Sequence, residues 1–188
     1  MTSWVRRFVV IGSTLVMGAA FPCVVWAQPP YITQWGSFGS GNGQFNGSAA
    51  AAVDATGNVY VTDFSNNRIQ KFDNNGTYLT QWGSPGSGNG QFDSPDGIAV
   101  DAAGNVYVVD HSHARIQKFD GNGTYLTQRG SYGYGNGLFE LPTCIAVDAA
   151  GNVYVTDAST NRVQKFDGSG TFLTSWGSPA AAADSSAI

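Results

Sequence analysis

The heptapeptide GNVYVTD at residues 57–63 returns unchanged at residues 151–157, and GNVYVVD stands midway between them at residues 104–110. Each copy begins 47 residues after the previous one. A period of about 20–50 residues indicates an array of small units, each of which buries its apolar face only against its neighbours. The repeat therefore constrains the fold of this chain more than any single residue does.

Within each repeat the apolar residues follow the pattern of short β-strands. In the second repeat, residues 98–101, 106–110, 115–119 and 125–128 are rich in β-branched and aromatic side chains, which partly alternate with polar ones. The connecting segments contain Gly and Asn, which accept the positive φ of tight hairpins. Four antiparallel strands in about 40–50 residues are typical of a β-propeller blade. We therefore expect an all-β chain of three four-stranded blades.

The blade pattern resembles the NHL repeat. Its core, Asp-x-x-Gly-Asn-Val-Tyr-Val-x-Asp followed by Asn-Arg-(Ile/Val)-Gln-Lys-Phe-Asp, is present at residues 54–73 and 148–167, and at 101–120 with Ala114 in place of Asn. A Gly-x-Gly-x-Phe segment precedes each copy. The resemblance covers roughly residues 31–178 and implies an NHL-type β-propeller. Because NHL propellers include sensors, scaffolds, RNA binders and enzymes, the resemblance predicts the fold and leaves the function open.

The N-terminus has the pattern of a secretory signal. Arg6 and Arg7 precede an apolar run from Phe8 to about Val25, which ends close to the small residue Ala27. We expect cleavage after Ala27 and a secreted or periplasmic protein. The alternative is an uncleaved anchor, since the run approaches the ~20 residues that span a bilayer. Only in that case is the membrane an expected partner.

The chain thus divides into three predicted regions. They are a signal peptide at 1–27, an NHL-repeat region at 28–178 and a disordered Ala/Ser-rich tail at 179–188. The repeats lie near residues 37–83, 84–130 and 131–177, with an extra outer strand at 31–36 that matches the fourth strand of a unit.

Three blades are half of a six-bladed ring, or a partial propeller, because a propeller needs about 4–8 blades to close. Half a ring exposes an apolar blade face at each end. A homodimer with a two-fold axis would close a six-bladed ring. The alternative is a fragment or decayed copy of a longer array. Cys144, which replaces Gly97 of the preceding repeat, is expected to be a small buried residue.

The side chains that differ between repeats fall in loops that open on one rim of the propeller. The candidate binding residues on this rim are His111, His113, Arg129, Tyr132, Tyr134 and Glu140. Aromatic and Arg side chains concentrate binding energy at interfaces. The alternative for the tyrosines is that they only pack the loop between blades. A His-x-His pair can ligate a metal, but no third ligand lies at a suitable spacing, so we expect no metal and no cofactor.

Each blade also carries an acidic residue five positions before an arginine. These structural repeat pairs are Asp63 with Arg68, Asp110 with Arg115 and Asp157 with Arg162. A charge-assisted pair in every blade indicates a structural role, since catalysis needs asymmetry.

Composition narrows the expected function. Without Arg6 and Arg7, the chain has seven basic and thirteen acidic residues. The sequence shows no stripe of basic residues that would indicate a nucleic-acid partner. We expect an exported, non-catalytic binding or scaffold module for a protein, peptide or glycan partner. The alternatives are a metal-dependent propeller enzyme, similar to a lactonase-like hydrolase or an amidating lyase, and a non-functional fragment. The chain contains only two His and one Glu, and this scarcity favours binding over catalysis.

Overall fold

The computed structural model describes residues 32–177, so the predicted signal peptide at 1–27 and tail at 179–188 lie outside the described residues. The described chain forms three four-stranded antiparallel sheets, and each sheet takes its strands in sequence order. The first blade consists of β3 (Ser48–Val53), β4 (Val59–Asp63), β5 (Arg68–Phe72) and β6 (Tyr78–Trp82). The second consists of β7 (Pro95–Val100), β8 (Val106–Asp110), β9 (Arg115–Phe119) and β10 (Tyr125–Arg129). The third consists of β11 (Pro142–Val147), β12 (Val153–Asp157), β13 (Arg162–Phe166) and β14 (Phe172–Gly177).

Short elements connect the blades and the strands. β1 (Ser37–Phe38) and β2 (Gln44–Phe45) form a small parallel pair in the loop before the first blade. Two 3-10 helices, Phe64–Asn66 and His111–His113, join the second and third strands of the first two blades. The prediction of an all-β chain with three four-stranded blades is confirmed.

Aspartates hold the hairpins between the first and second strands. Asp54 Oδ1 accepts hydrogen bonds from the backbone N–H groups of Thr56 and Asn58, both at 2.9 Å. Gly57 has a φ of 87° at this turn, a region that an L side chain rarely adopts. The Asp and Gly that recur every 47 residues therefore fix the same turn in each blade.

The apolar core lies between neighbouring blades, and the first strands of successive blades pack side by side. One buried cluster joins the first and second blades and contains Tyr60, Ile69, Phe92, Ile98, Val106, Val108 and Phe119. A second cluster joins the second and third blades and contains Tyr107, Val109, Ala114, Ile116, Phe139, Val153, Val155 and Phe166. Because both interfaces use equivalent repeat positions, each blade presents a leading face to the blade before it and a trailing face to the blade after it.

The trailing face of the third blade is partly open. Every residue of β8 is buried, whereas burial alternates along β12 because only one face of this strand is covered. Trp176, which is equivalent to Trp82, is 47% exposed. Cys144 is exposed as well, so the prediction that it is buried is wrong. A Cβ at Gly97 would meet the backbone of the third blade, whereas no further four-stranded sheet follows the blade of Cys144 within residues 32–177.

The predicted outer strand at 31–36 is not seen as a strand over residues 32–36, which pair with none of the described strands. An outer strand needs the third strand of its blade as a hydrogen-bonding partner. Trp35 nevertheless packs on the first blade as Trp82 packs on the second. The Trp35 and Phe72 ring centroids are 6.2 Å apart, and the Trp82 and Phe119 centroids are 5.8 Å apart. Over residues 32–177, no helix has the length and hydropathy to cross a membrane.

Candidate binding site on the rim of the third blade

The loops between blades meet the loops between second and third strands on one rim. Phe64 donates its backbone N–H to the Gly47 carbonyl at 3.1 Å, and Ala158 donates to the Leu141 carbonyl at 2.9 Å. The variable positions of each repeat therefore lie on a shared surface, which we call the rim.

Beneath the rim, the first two blades hold their arginine with a complete set of acceptors. Arg68 Nε donates to Asp63 Oδ2 at 2.7 Å, and Nη1 donates to Gln81 Oε1 at 2.7 Å. The remaining three donors bind backbone oxygens of the preceding loop at 2.7 to 2.9 Å. Arg115 has the equivalent five partners, with Nε 2.7 Å from Asp110 Oδ2. These charge-assisted bonds tie each blade to the loop that enters it.

The third blade has the same two residues but a looser pair. Arg162 Nη2 lies 3.8 Å from Asp157 Oδ2 and donates instead to the carbonyl oxygens of Gly135 and Leu138, at 3.0 and 2.8 Å. Arg162 Nε is buried and has no hydrogen-bond partner within the described part of the chain. Asp157 accepts backbone N–H groups from Glu140 and Leu141, at 3.1 and 2.9 Å.

Two substitutions accompany this difference. Ser175 stands opposite Gln164 in the strand register, where Gln81 and Gln128 stand in the other blades. A serine side chain is too short to reach the guanidinium that those glutamines contact. Thr160 is the second change, since its hydroxyl is buried without a partner in the described region.

At the position of Thr160 the other blades have side chains that bind the aspartate. Asn66 Nδ2 donates to both Asp63 carboxylate oxygens, at 3.0 and 2.9 Å. His113 Nδ1 lies 3.1 Å from both carboxylate oxygens of Asp110. The Thr160 side chain makes neither contact, so Asp157 lacks the side-chain partner that the equivalent aspartates have in the first two blades.

The two histidines do not converge. His113 contacts Asp110, whereas His111 Nδ1 lies 3.0 Å from the Pro142 carbonyl oxygen and 3.9 Å from Asp96 Oδ2. His111 thus bridges the second and third blades. Among residues 32–177, no group of three His, Cys, Asp or Glu side chains is placed to hold a metal ion.

Tyr132, Tyr134 and Glu140 do converge, on the rim of the third blade. The two phenol oxygens are 3.4 Å apart, and Tyr134 OH donates to Glu140 Oε1 at 3.1 Å. Ser159 Oγ donates to the other carboxylate oxygen at 2.6 Å. The hydrogen bond with Tyr132, together with the Glu140 carboxylate, raises the pKa of Tyr134 to about 12.

Both tyrosine rings stay exposed, at 65% for Tyr132 and 64% for Tyr134. The rings meet edge to face with centroids 6.2 Å apart. We call Tyr132, Tyr134, Glu140 and Ser159 the tyrosine cluster. An exposed aromatic pair fixed by a carboxylate offers a preformed surface for a ligand.

Arg129 does not join the tyrosine cluster by any hydrogen bond within residues 32–177. Its Nη1 donates to the Gln128 carbonyl oxygen at 3.0 Å, and Nη2 donates to the Ser169 carbonyl oxygen at 3.2 Å. Its side chain lies over Gly170, as Trp82 lies over Gly123. This predicted rim residue therefore packs at the interface between the second and third blades.

Sequence reasoning missed Ser159, Thr160 and Ser175. The information was present in the repeat, because Ser175 and Thr160 each replace a residue that bonds in the other two blades. Only the structure shows that the glutamine at the Ser175 position binds the arginine, and that the side chain at the Thr160 position binds the paired aspartate.

The NHL repeat profile matches the chain at residues 49–72, 92–119 and 139–166, within the three blades described above. The chain is an NHL-repeat protein. No curated protein sequence matches it. The matched segments contain the paired aspartates and arginines of all three blades, so the family assignment and the geometry rest on the same residues.

Solved structures similar to this NHL-repeat protein are propellers of more than one activity. Virginiamycin B lyase from Staphylococcus aureus, solved with quinupristin, is 18% identical with a TM-score of 0.56; the match covers 72% of this chain and 42% of the lyase. A nidogen/laminin complex is 26% identical with a TM-score of 0.52, over 68% of this chain and 49% of that chain. A gluconolactonase from Xanthomonas campestris is 20% identical with a TM-score of 0.54, over 74% of this chain and 50% of that chain. The NHL-repeat chain thus spans about half the length of these proteins.

These neighbours contradict the expectation that the chain is not an enzyme. Two of the three are named as enzymes, so the fold family includes catalysts. The expectation rested on the small number of His and Glu residues, but catalytic sites on one fold are built from different residues in different members. The number of ligands in a chain therefore does not decide whether it is an enzyme.

Proposed function

We propose that this NHL-repeat protein is an exported recognition module that binds its partner at the tyrosine cluster of the third blade. The observation that carries the proposal is a pair of exposed tyrosines in contact through their hydroxyls, one of which, Tyr134, donates to Glu140. Neither preceding blade has an equivalent: Phe38 and Pro85 stand in place of Tyr132, and Ser40 and Ser87 in place of Tyr134.

The physical chemistry of the cluster suits recognition. Tyrosine supplies a large amphipathic contact area and loses little conformational entropy, because it has only two side-chain torsions. Tyr134 donates to Glu140, whose other carboxylate oxygen accepts from Ser159, and this arrangement holds the rings before a ligand arrives, which lowers the cost of binding. The nidogen/laminin neighbour is named as a protein complex, which supports partner binding by this fold.

The test is a panel of immobilised peptides and oligosaccharides probed with the full chain and with a Tyr132→Ala/Tyr134→Ala variant. Aromatic residues at the centre of an interface commonly contribute 2 kcal/mol or more, or roughly 30-fold in Kd. We expect that loss in the double variant, with an unchanged melting temperature. Phe38→Ala is the matched control, because Phe38 is an exposed aromatic on the equivalent loop of the first blade.

Equal retention of every probe by the parent and the double variant would overturn the proposal. A lowered melting temperature with retained binding would assign the tyrosines to loop packing. Because neighbours of this fold include enzymes, retained probes are also analysed by mass spectrometry for cleavage or rearrangement.

A further inference from the structure

We propose that a pocket between the second and third blades binds an aromatic ring that carries a carboxylate, with Arg129 at the mouth of the pocket. This site is separate from the tyrosine cluster and goes beyond the proposed function. The observation that carries it is one break in the repeat. Arg129 stands where the other two blades have Trp82 and Trp176, and an apolar pocket opens beside it.

The apolar walls of this pocket are the same as those between the first and second blades. Between the second and third blades the walls consist of Tyr107, Ile116, Phe139, Val153, Val155 and Phe166. The residues 47 positions earlier are of the same types and form a buried cluster against which Trp82 packs; they are Tyr60, Ile69, Phe92, Val106, Val108 and Phe119. The two interfaces therefore differ in the side chain that covers the walls.

The indole of Trp82 shows which kind of group fits these walls. It packs on Phe119 with ring centroids 5.8 Å apart, and it meets the Tyr60 ring edge to face with centroids 6.2 Å apart. Aromatic pairs in such arrangements gain energy beyond the area that they bury. A flat aromatic ring is therefore the group that matches the equivalent walls beside Arg129.

Arg129 covers the walls less completely than a tryptophan does. Its aliphatic carbons lie over Gly170, but it has no ring to reach the walls behind. Four wall residues there keep 5% to 7% of their surface exposed, whereas their equivalents beneath Trp82 keep 0% or 1%. These four are Tyr107, Ile116, Val153 and Phe166. About 40 Å³ of the pocket is open to the centres of water-sized atoms, so several bonded atoms of a ligand can enter.

Arg129 also supplies the charge at the mouth of the pocket. It is exposed and forms no ion pair within residues 32–177. Its guanidinium donates only to uncharged acceptors, the carbonyl oxygens of Gln128 and Ser169, at 3.0 and 3.2 Å. Arginine forms shorter and stronger hydrogen bonds with a carboxylate. A carboxylate on the ring can therefore bind Arg129 while the ring covers the apolar walls.

The other two charged residues that line the pocket have partners of their own. Lys118 Nζ lies 3.7 Å from Asp101 Oδ2. Asp167 Oδ1 accepts the backbone N–H groups of Ser169 and Thr171, both at 2.9 Å. The charge without a partner is thus that of the arginine, which favours an anionic ligand over a cationic one.

The test compares phenylacetate with benzyl alcohol and acetate, which have the ring or the carboxylate alone. NMR titration of the full chain follows the methyl signals of Ile116, Val153 and Val155, which lie in the pocket walls. We expect phenylacetate to shift these signals saturably, with a Kd of roughly 1 mM for a ligand of this size. Benzyl alcohol should bind several-fold more weakly, and acetate should leave the signals unchanged.

Two substitutions at Arg129 separate the ring from the charge. Arg129→Trp restores the indole of the other blades, so it should weaken phenylacetate binding by roughly tenfold or more and raise the melting temperature. Leu126→Trp is the matched control, because it adds the same side chain at an exposed position of the same strand and should leave Kd unchanged. Arg129→Met removes the charge and should reduce phenylacetate binding to the level of benzyl alcohol.

Equal phenylacetate binding by the parent and by Arg129→Trp would overturn the pocket. Methyl signals of the parent that do not respond at the highest soluble concentration would overturn it as well, and would make the Arg129 interface only a looser packing of the same walls. An equal Kd for phenylacetate and benzyl alcohol would overturn the carboxylate. The same shifts with acetate would overturn the aromatic ring.

Discussion

The second and third blades have the same strand order and the same repeat, yet their equivalent arginines have different hydrogen-bond partners. Arg115 has five acceptors, while Arg162 has two backbone oxygens and a distant Asp157. The change traces to Ser175 in β14 and Thr160 in the rim loop. The comparison shows where the repeat tolerates change: the third blade keeps the same strands, but it lacks the glutamine that binds the arginine and the side chain that binds the aspartate in the first two blades.

The two blades also differ at their trailing faces. Tyr107 of the second blade is buried against the third, while Tyr154 of the third blade is only half-buried beside Trp176. The same residue types thus form an interface in one blade and an accessible surface in the next. The following predictions test these two differences, beginning with the largest effect.

The aspartate pair should matter more in the second blade. Asp110→Ala leaves the Arg115 guanidinium buried without its charge partner, and breaking such a pair costs about 3–5 kcal/mol. Asp157→Ala should cost about 1–3 kcal/mol, since Arg162 already binds elsewhere and mainly two backbone N–H groups lose their acceptor. Urea unfolding at neutral pH measures the free energy of unfolding of both variants.

Asp63→Ala in the first blade is the control and should match Asp110→Ala, because its bonds have the same geometry. Equal costs in all three blades would contradict the claim that the third pair is loose. The double variant Asp110→Ala/Arg115→Met should recover part of the loss, since removing both charges leaves neither unpaired.

The homodimer that would close the ring remains a prediction from the sequence. Substitutions on the trailing face of the third blade test it, because this face would form the interface between the two copies. In a dimer, Trp176 would lie over Gly76 of the second copy, a place that Trp35 occupies within one chain. A buried tryptophan commonly contributes 2 kcal/mol or more at an interface. Trp176→Ala should therefore weaken the dimer by roughly 30-fold or more in Kd, and Trp35→Ala should strengthen it.

Light scattering across a concentration series measures this equilibrium. Twice the mass of one chain for the parent, and the mass of one chain for Trp176→Ala, are the expected results. Trp82→Ala lies inside the chain and should lower the free energy of unfolding. A parent that stays monomeric at the highest soluble concentration would rule out closure by a second copy.

The fold could be predicted from the sequence because its signals are local and repeated. The strand pattern, the Asp–Gly turn and the aspartate–arginine pair occur once in each blade and so three times in the chain. One ambiguous position therefore does not change the predicted fold. Whether residues 31–36 form a strand was harder to predict, because a strand needs a partner strand, and the sequence of these six residues does not show whether one is available. The burial of Cys144 was misjudged for the same reason: Gly97 is buried by the following blade, which is a contact beyond the repeat.

The site could be predicted only in part. Tyr132, Tyr134 and Glu140 were found because they depart from the repeat in exposed loops. Ser175 also departs from the repeat, but its effect depends on a glutamine side chain that crosses from the outer strand to the arginine. Such a contact joins residues on different strands, and no spacing in the sequence indicates it.

The smallest predicted effect concerns the turn aspartates of the two blades, and it is measured as pKa. The Asn152 side chain first, and then its backbone N–H, lower the pKa of Asp148 to about 2. Since the folded pKa lies below the ordinary value near 3.9, this carboxylate stabilises the fold fully above that pH, and the contribution is lost as the pH falls towards 2. Asn152→Ala should raise the pKa of Asp148, as followed by NMR of its carboxyl carbon.

Asp101 of the second blade provides the comparison. Burial alone would raise its pKa, but hydrogen bonds from Asn105 and Tyr107 and the charge of Lys118, 3.7 Å away, together lower it. A charge–charge contribution is screened by salt, whereas a short hydrogen bond is affected much less. Raising the ionic strength should therefore increase the pKa of Asp101 and leave that of Asp148 almost unchanged. Equal salt responses would mean that Lys118 contributes nothing to the turn, and that the two turns differ only in the burial of their aspartates.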